Sequence, residues 1–193
     1  MKTSEFNQHV HNFENMLMKM VPDVFKEQGG INPVVFAIAE DQNTKEVAFA
    51  VLEGLGEMFM EGPAGKEMAV EAIKTTLADH IKPMAMAFVS EAWTVRIDKD
   101  EVDGHTDKRG NLKIAPKDHP DKVEMLFIAM ETHSTENMIS WEIGSEEEGR
   151  ALTPMIESEW VDKNENSKRG RMSDFLKENY VDIVADPGDA NLA

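Results

Sequence analysis

Three glutamates on segments that we predict to be strands carry the side chains best suited to chemistry in this chain. Glu91 lies in the apolar stretch MAMAFVSEAWTVRI, and because alternate side chains of a strand share a face, it shares one with Val89 and Trp93. A carboxylate that is partly desolvated in this way could serve as a general base or as a metal ligand. We favour a structural alternative, because buried carboxylates usually accept hydrogen bonds from a neighbouring side chain or a helix terminus.

Glu131 and Glu142 fall on the two predicted strands that follow Glu91. In some registers of the sheet these three carboxylates would approach closely enough to hold a divalent cation with oxygen ligands. The sequence does not define the register, and a slip of one residue moves each side chain to the opposite face. A divalent metal site is therefore one hypothesis, and two solvent-facing residues beside a structural Glu91 are the other. No further cofactor is predicted.

The six histidines form no zinc motif, since none stands in H-E-x-x-H or H-x-x-x-H spacing. The acidic loop over residues 98–121 contains His119, which is the second catalytic candidate after Glu91. The start of this loop resembles a calcium loop, but Val102 occupies a ligand position and Gly104 falls one residue late. We therefore reject an EF-hand and expect a solvated acidic loop.

The composition excludes several classes of function. With 37 acidic and 20 basic residues the formal charge is −17, so we expect neither direct nucleic-acid binding nor membrane binding, and the basic segment 168–171 is too short to change this. The chain has no cysteine, which rules out disulfides, zinc–thiolate sites and thiol nucleophiles. Neither Ser90 nor Ser140 stands in a Gly-x-Ser-x-Gly elbow. A polar N-terminus without a long apolar run predicts a cytoplasmic protein.

An amphipathic helix is predicted at the N-terminus, because apolar residues recur there at steps of three and four. Pro22 interrupts the pattern, which predicts a kink or a second short helix over residues 22–27. Gly29 and Gly30 are expected to end the helix. The apolar stripe consists of Phe6, Val10, Phe13, Leu17, Met20 and Val24.

The next segments predict strands and a second helix. Residues 33–39 form an apolar run between glycines and a polar turn, which favours a buried strand. The segment 46–60 has two interpretations, since it could return as a hairpin partner over 47–52 or form a helix rich in Ala, Leu and Met. Residues 62–65 indicate a break, and residues 66–81 predict the second helix.

Three apolar segments between residues 83 and 143 predict three more strands, and the loop over 98–121 could add a short strand at 112–115. Consecutive strands with short connections favour an antiparallel meander. The order helix, two strands, helix, three strands predicts an α+β fold with a mostly antiparallel five-stranded sheet and its helices on one face. We expect one domain over residues 1–160, and a polar linker with a short C-terminal helix or tail over 161–193.

Two short motifs of this region resemble those of a group of bacterial and phage proteins. The segment Phe88-Val-Ser-Glu-Ala-Trp93 resembles the group's VSEAW strand, and His119-Pro-Asp-Lys-Val-Glu124 resembles its strand start, HPDR-E. The resemblance covers residues 66–143 and supports the predicted order of helix and strands. The group has no assigned activity and therefore implies none here. Lys122 stands where the group tends to have arginine, which weakens any inference of a bidentate anion contact.

We rank three hypotheses for the function. The first is a non-enzymatic binding or assembly protein of bacterial or phage origin, which acts through its sheet or N-terminal helix on a protein partner or on a second copy of itself. The second is a metal-assisted hydrolase that uses Glu91 with Glu131 or Glu142 and a loop histidine. The third is an acidic inhibitor that mimics nucleic acid and blocks a DNA-binding protein.

Overall fold

The computed structural model describes residues 1–41, 43–95, 97, 101–107, 112–145, 147, 149–157, 159–163, 175–176, 180–181 and 183 of the chain. The helices within this part are α1 (Thr3–Gln28), α2 (Leu55–Met60), α3 (Gly62–Thr76) and α4 (Val102–His105), with a π-helical turn over Leu77–Ile81 and a 3-10 turn over Pro116–Asp118. The strands are β1 (Val34–Glu40), β2 (Val47–Leu52), β3 (Ala85–Val95), β4 (Lys122–Thr132), β5 (Thr135–Glu142), β6 (Ile156–Glu157) and β7 (Val161–Asp162).

The strands form one antiparallel sheet in the order β2-β1-β3-β4-β5-β6, with β7 also paired to β5. The predicted α+β class and the antiparallel meander β3-β4-β5 are therefore confirmed. The five predicted strands are the five long ones, and β6 and β7 add two residues each beyond β5. These short pairings carry no local pattern long enough to be recognised in a sequence.

The helices lie on both faces of the sheet, whereas we expected them on one. On the first face, α1 packs against alternate residues of β3, such as Ala87 and Val89. On the second face, the cluster that includes Ile73 of α3 packs against Met86 and Phe88. Because the first six residues of β3 are all buried, both of its faces are apolar and each needs a cover.

The N-terminal helix runs as one element through Pro22, without the predicted second helix. It ends at Gly29, whose φ of 72° is in the left-handed region and whose N–H donates to the carbonyl of Phe25 at 2.8 Å. The buried stripe continues through Val21 and Phe25 instead of Met20 and Val24, because steps of four follow the face that α1 turns to the sheet. Its buried apolar residues are Val10, Phe13, Leu17, Val21 and Phe25.

The segment 46–60 contains both alternatives that the sequence left open, first the strand β2 and then the helix α2. The predicted break at residues 62–65 is instead the first turn of α3, where Pro63 lacks only an N–H that would have no helical partner. Gly65 allows α3 to touch α2, because an added Cβ would collide with the carbonyl of Met58.

The structure tests only some of the predictions for the long loop and for the C-terminal part of the chain. The short strand expected at 112–115 is an isolated bridge between Thr106 and Leu112. Asp98 at the start of the rejected calcium loop, the basic segment 168–171 and most of the predicted C-terminal helix lie outside the described residues, so the division at residue 160 stays a prediction. Within the described part, no helix is long and apolar enough to span a membrane.

Candidate functional site

Glu91 lies where the end of α1 meets β3, and both of its carboxylate oxygens accept hydrogen bonds. Its Oε1 accepts a hydrogen bond from the backbone N–H of Ile31, and its Oε2 accepts one from Nη2 of Arg150 at 2.5 Å. Gly30 permits this close approach, since a Cβ there would lie 2.9 Å from Oε1. The same Nη2 lies 3.2 Å from Oε1 of Glu124, so one arginine bridges two carboxylates. The partners of Glu91 are thus a backbone N–H of the segment after α1 and the side chain of Arg150, the kind of protein contacts that the structural alternative requires.

Glu131 is buried on the other face of the sheet and also has both oxygens engaged. Its Oε1 accepts the backbone N–H groups of Phe175 and Leu176 at 2.6 and 3.0 Å. Its Oε2 lies 2.6 Å from Nζ of Lys163, and that side chain is itself only 6% exposed. Lys163 also donates to the carbonyl of Leu176 at 3.2 Å. The carboxylate therefore attaches residues 163, 175 and 176 to the end of β4.

The register does not bring the three glutamates together. Glu91 pairs with Leu126, whose side chain belongs to the α1 face, whereas Glu131 pairs with Met86 of the opposite face. Glu142 shares that opposite face but pairs with Met125. This position is six residues, or about 20 Å, along β4 from Glu131. Within the described residues, no three His, Asp or Glu side chains form a group that could hold a metal ion.

His119 is 5% exposed and packs against His105 rather than Glu91. Its Nε2 lies 3.3 Å from Nδ1 of His105, and its Nδ1 accepts the N–H of Asp121 at 3.2 Å. This pattern assigns the proton of a neutral His119 to Nε2. His119 precedes β4, whose first residue, Lys122, pairs with Val95. Val95 is four residues, or about 13 Å, along β3 from Glu91, so the two catalytic candidates lie apart.

Glu14 is a further buried carboxylate, 6% exposed, which the sequence patterns did not indicate. Its Oε1 accepts Nδ2 of Asn137 at 2.7 Å and Nε1 of Trp160 at 3.0 Å. The contact joins α1 to β5 and to the segment before β7. A glutamate inside an apolar helical stripe is the signal that could have indicated a buried partner.

Apolar side chains are exposed along the β2 edge of the sheet. Among the described residues β2 pairs with β1 alone. Phe49 is 45% exposed and Val51 is 42% exposed, although strands of this composition normally lie inside. Together with the half-exposed Met16 of α1 and with Val47, they form what we call the β2 edge surface.

A groove of about 450 Å³ separates α1 from β2 beneath this surface. Phe49 stands on its wall, with its ring centroid 6.1 Å from that of Phe13 in an edge-on contact and 5.7 Å from that of Phe36 in a stacked one. His9 and Lys45 lie at the polar rim. An apolar floor with a polar rim is typical of a surface that another molecule covers.

The backbone of β2 also presents hydrogen-bonding groups to the outside. The carbonyl of Glu46 accepts the N–H of Asp41 at 2.8 Å, so the polar groups of Glu46 point toward β1. Because these groups alternate from one residue to the next, the N–H and C=O of Val47, Phe49 and Val51 point away from β1. No strand in the described part of the chain pairs with these six groups, so they form an open edge to which another strand could add.

Comparison with known proteins gives no match for this chain, whether with protein-family models, with curated proteins or with solved structures. The resemblance through the VSEAW and HPDR-E motifs, and with it a bacterial or phage origin, stays a prediction.

Proposed function

We propose that this chain is a non-enzymatic binding or assembly protein, which acts on a protein partner or on a second copy of itself. The observation that carries this proposal is the β2 edge surface, where exposed Phe49 and Val51 adjoin an open row of backbone donors and acceptors. Apolar surface beside an unpaired strand is a common protein-binding arrangement.

The arrangement of the carboxylates also favours binding over hydrolysis. Glu91 and Glu131 each accept hydrogen bonds at both oxygens from protein groups. A general base needs a free acceptor directed at its substrate, and a metal needs several such oxygens at one point. Metal-assisted hydrolysis therefore has less support from these residues than a structural role.

The charge of the chain favours a protein partner over nucleic acid or a membrane. A formal charge of −17 opposes association with phosphate backbones and with anionic membrane surfaces, so we propose a protein partner. We place this partner in the cytoplasm because the N-terminus is polar and lacks a long apolar run. The same charge gives any basic partner a favourable long-range approach.

The test combines sedimentation velocity of the full chain with retrieval of partners by a tagged copy. We expect either self-association or a stoichiometric protein partner, and we expect Val51→Lys to weaken it because a charge would enter the β2 edge surface. Met60→Lys is the matched control, since Met60 is 88% exposed on α2 and lies outside that surface. A strictly monomeric protein that retrieves no partner would contradict the proposal.

A further inference from the structure

The β2 strand has a sequence that is symmetric about Phe49. Val47-Ala-Phe-Ala-Val51 is the same in both directions, so an antiparallel copy centred on Phe49 places Val47 opposite Val51 and Phe49 opposite Phe49. Such a pair has a two-fold axis, which is the commonest symmetry of protein dimers. The strand is thus complementary to itself.

The charges that flank this symmetric segment are complementary in the same register. Lys45 precedes it by two residues, at a left-handed turn position with a φ of 63°, and Glu53 follows β2 directly. The antiparallel pairing therefore brings the lysine end of each strand beside the glutamate end of the other copy. Both side chains are exposed at the open edge, and Lys45 lies 3.1 Å from its own Glu40. Opposite charges across a strand pair favour this register over one shifted by two residues.

We propose that β2 pairs with β2 of a second copy, antiparallel and centred on Phe49, so that one continuous sheet crosses a two-fold dimer. This inference rests on the proposed function and names its partner as the same chain. The backbone groups of Val47, Phe49 and Val51 face outward, and in this register each opposed pair exchanges two N–H···O bonds. The centre of the pair is therefore a hydrogen-bonded position rather than a gap.

The side chains fit the same arrangement. A two-fold axis perpendicular to the sheet leaves the α1 face of one copy beside the α1 face of the other, and directly opposed residues share a face. The exposed side of Phe49 then meets its equivalent beside Val51 and Met16, which removes these side chains from water.

The assembly stops at two copies. In the described sheet, β2 is the strand at one edge, and β6 and β7 pair with β5 at the opposite edge. Pairing β2 with β2 uses that edge in both copies at once, so no further copy can add there.

A charge exchange tests the register. Glu53→Lys places lysine opposite lysine, and Lys45→Glu places glutamate opposite glutamate, so we expect each variant alone to self-associate about tenfold more weakly. In an equimolar mixture both lysine–glutamate pairs form again between the two variants, and we expect a heterodimer of nearly wild-type affinity. Glu71→Lys and Lys66→Glu on α3 are exposed controls with the same changes of charge.

Amide hydrogen exchange of the full chain provides the second measurement. We expect the amides of Val47, Phe49 and Val51 to exchange slowly well above the dimer dissociation constant and quickly below it. Ala48 and Ala50 are internal controls, because their amides point toward β1 and stay protected at both concentrations.

Three results would overturn the inference: a monomer at about millimolar concentration, a dimer in which the Phe49 amide exchanges quickly, or assembly into unlimited oligomers. A monomer that still binds another protein would leave the proposed function standing without this interface. A monomer without any protein partner would remove both.

Discussion

Glu91 joins three parts of the chain through its two oxygens, namely β3, the segment after α1 and Arg150. The guanidinium of Arg150 also lies 5.6 Å from the ring centroid of Phe25, so the ion pair sits on the apolar end of α1. The side chain of Arg150 is 28% exposed, and that of Glu91 is 19% exposed. At this degree of burial the pair has a larger effect on stability than a solvent-exposed pair.

We expect Glu91→Gln to lower the free energy of unfolding by about 1–3 kcal/mol, because the charged hydrogen bond to Arg150 is lost. Urea denaturation measures this difference. Glu124→Gln is the control and should cost less, since its contact with Arg150 is longer, at 3.2 Å.

The same variant separates the structural role of Glu91 from metal binding. A metal at about 100 times its dissociation constant would add about 2.7 kcal/mol to stability. We expect no shift of the melting temperature when EDTA-treated protein is given calcium, magnesium, manganese or zinc. A saturable rise with one of them that disappears in Glu91→Gln would restore the hydrolase hypothesis.

Glu131 and Lys163 form the most deeply buried ion pair in the described chain, with both side chains 6% exposed. We expect Glu131→Gln to cost about 3–5 kcal/mol, because it leaves a buried ammonium group without its counter-charge. The double variant Glu131→Gln/Lys163→Met should recover part of this loss, which a double-mutant cycle in urea measures. Full additivity of the two single effects would show that the pair does not act as a unit.

Among the elements, the hairpin of β1 and β2 decides the geometry of the proposed interface. Asp41 holds its turn, since its Oδ1 accepts the N–H groups of Asn43 and Thr44, each at 2.8 Å. These backbone hydrogen bonds lower the pKa of the Asp41 carboxyl. The turn fixes which residues of β2 face outward, because it sets the register between Glu40 and Val47.

The lowered pKa of Asp41 gives a signed pH dependence. The ionised carboxylate stabilises the hairpin above the pKa of an unfolded aspartate, about 4, and this contribution disappears as the pH falls through the lower folded value. We expect Asp41→Ala to melt below wild type at pH 7 and to approach it near pH 2. Asp41→Asn also lacks the titrating group, so its difference from wild type should shrink by the same amount between pH 7 and 2. It should be the smaller difference at each pH, because the amide oxygen can still accept the two N–H groups. An Asp41→Ala difference that is constant from pH 7 to 2 would contradict this assignment.

Most helices and strands could be predicted from local sequence patterns. The exceptions are features that depend on more than a few neighbouring residues. The stripe of α1 and the antiparallel order of β3, β4 and β5 follow from periodicity and short connections. The segment 46–60 was ambiguous because a strand and a helix follow each other there within 14 residues. The helices on both faces were missed because an apolar strand does not reveal what covers each side.

For the whole molecule, the net charge of −17 acts against the proposed dimer. We expect the dissociation constant to fall when salt is raised from about 20 to 150 mM, because the Debye length shrinks from roughly 20 to 8 Å and screens the repulsion between two acidic bodies. Sedimentation equilibrium at several salt concentrations measures this trend. Glu71→Lys, which reduces the charge of each copy, should flatten it.

A different partner would give the opposite trend. Binding of a basic protein by an acidic mimic of nucleic acid weakens as salt is raised, since attraction is screened in the same way. Self-association that weakens with salt would therefore indicate that charge attraction outweighs the apolar contact of the β2 edge surface.

The sequence alone determined the fold class, the order of the two long helices and five long strands and the acidic character of this protein, because these properties depend on composition and on patterns within a few residues. Tertiary structure alone decided where the candidate residues lie. Glu91 meets Arg150 across 59 positions of the chain, and Glu131 meets Phe175 across 44. The register that separates these glutamates and the open edge at Phe49 likewise depend on which strands become neighbours, and no local pattern records that.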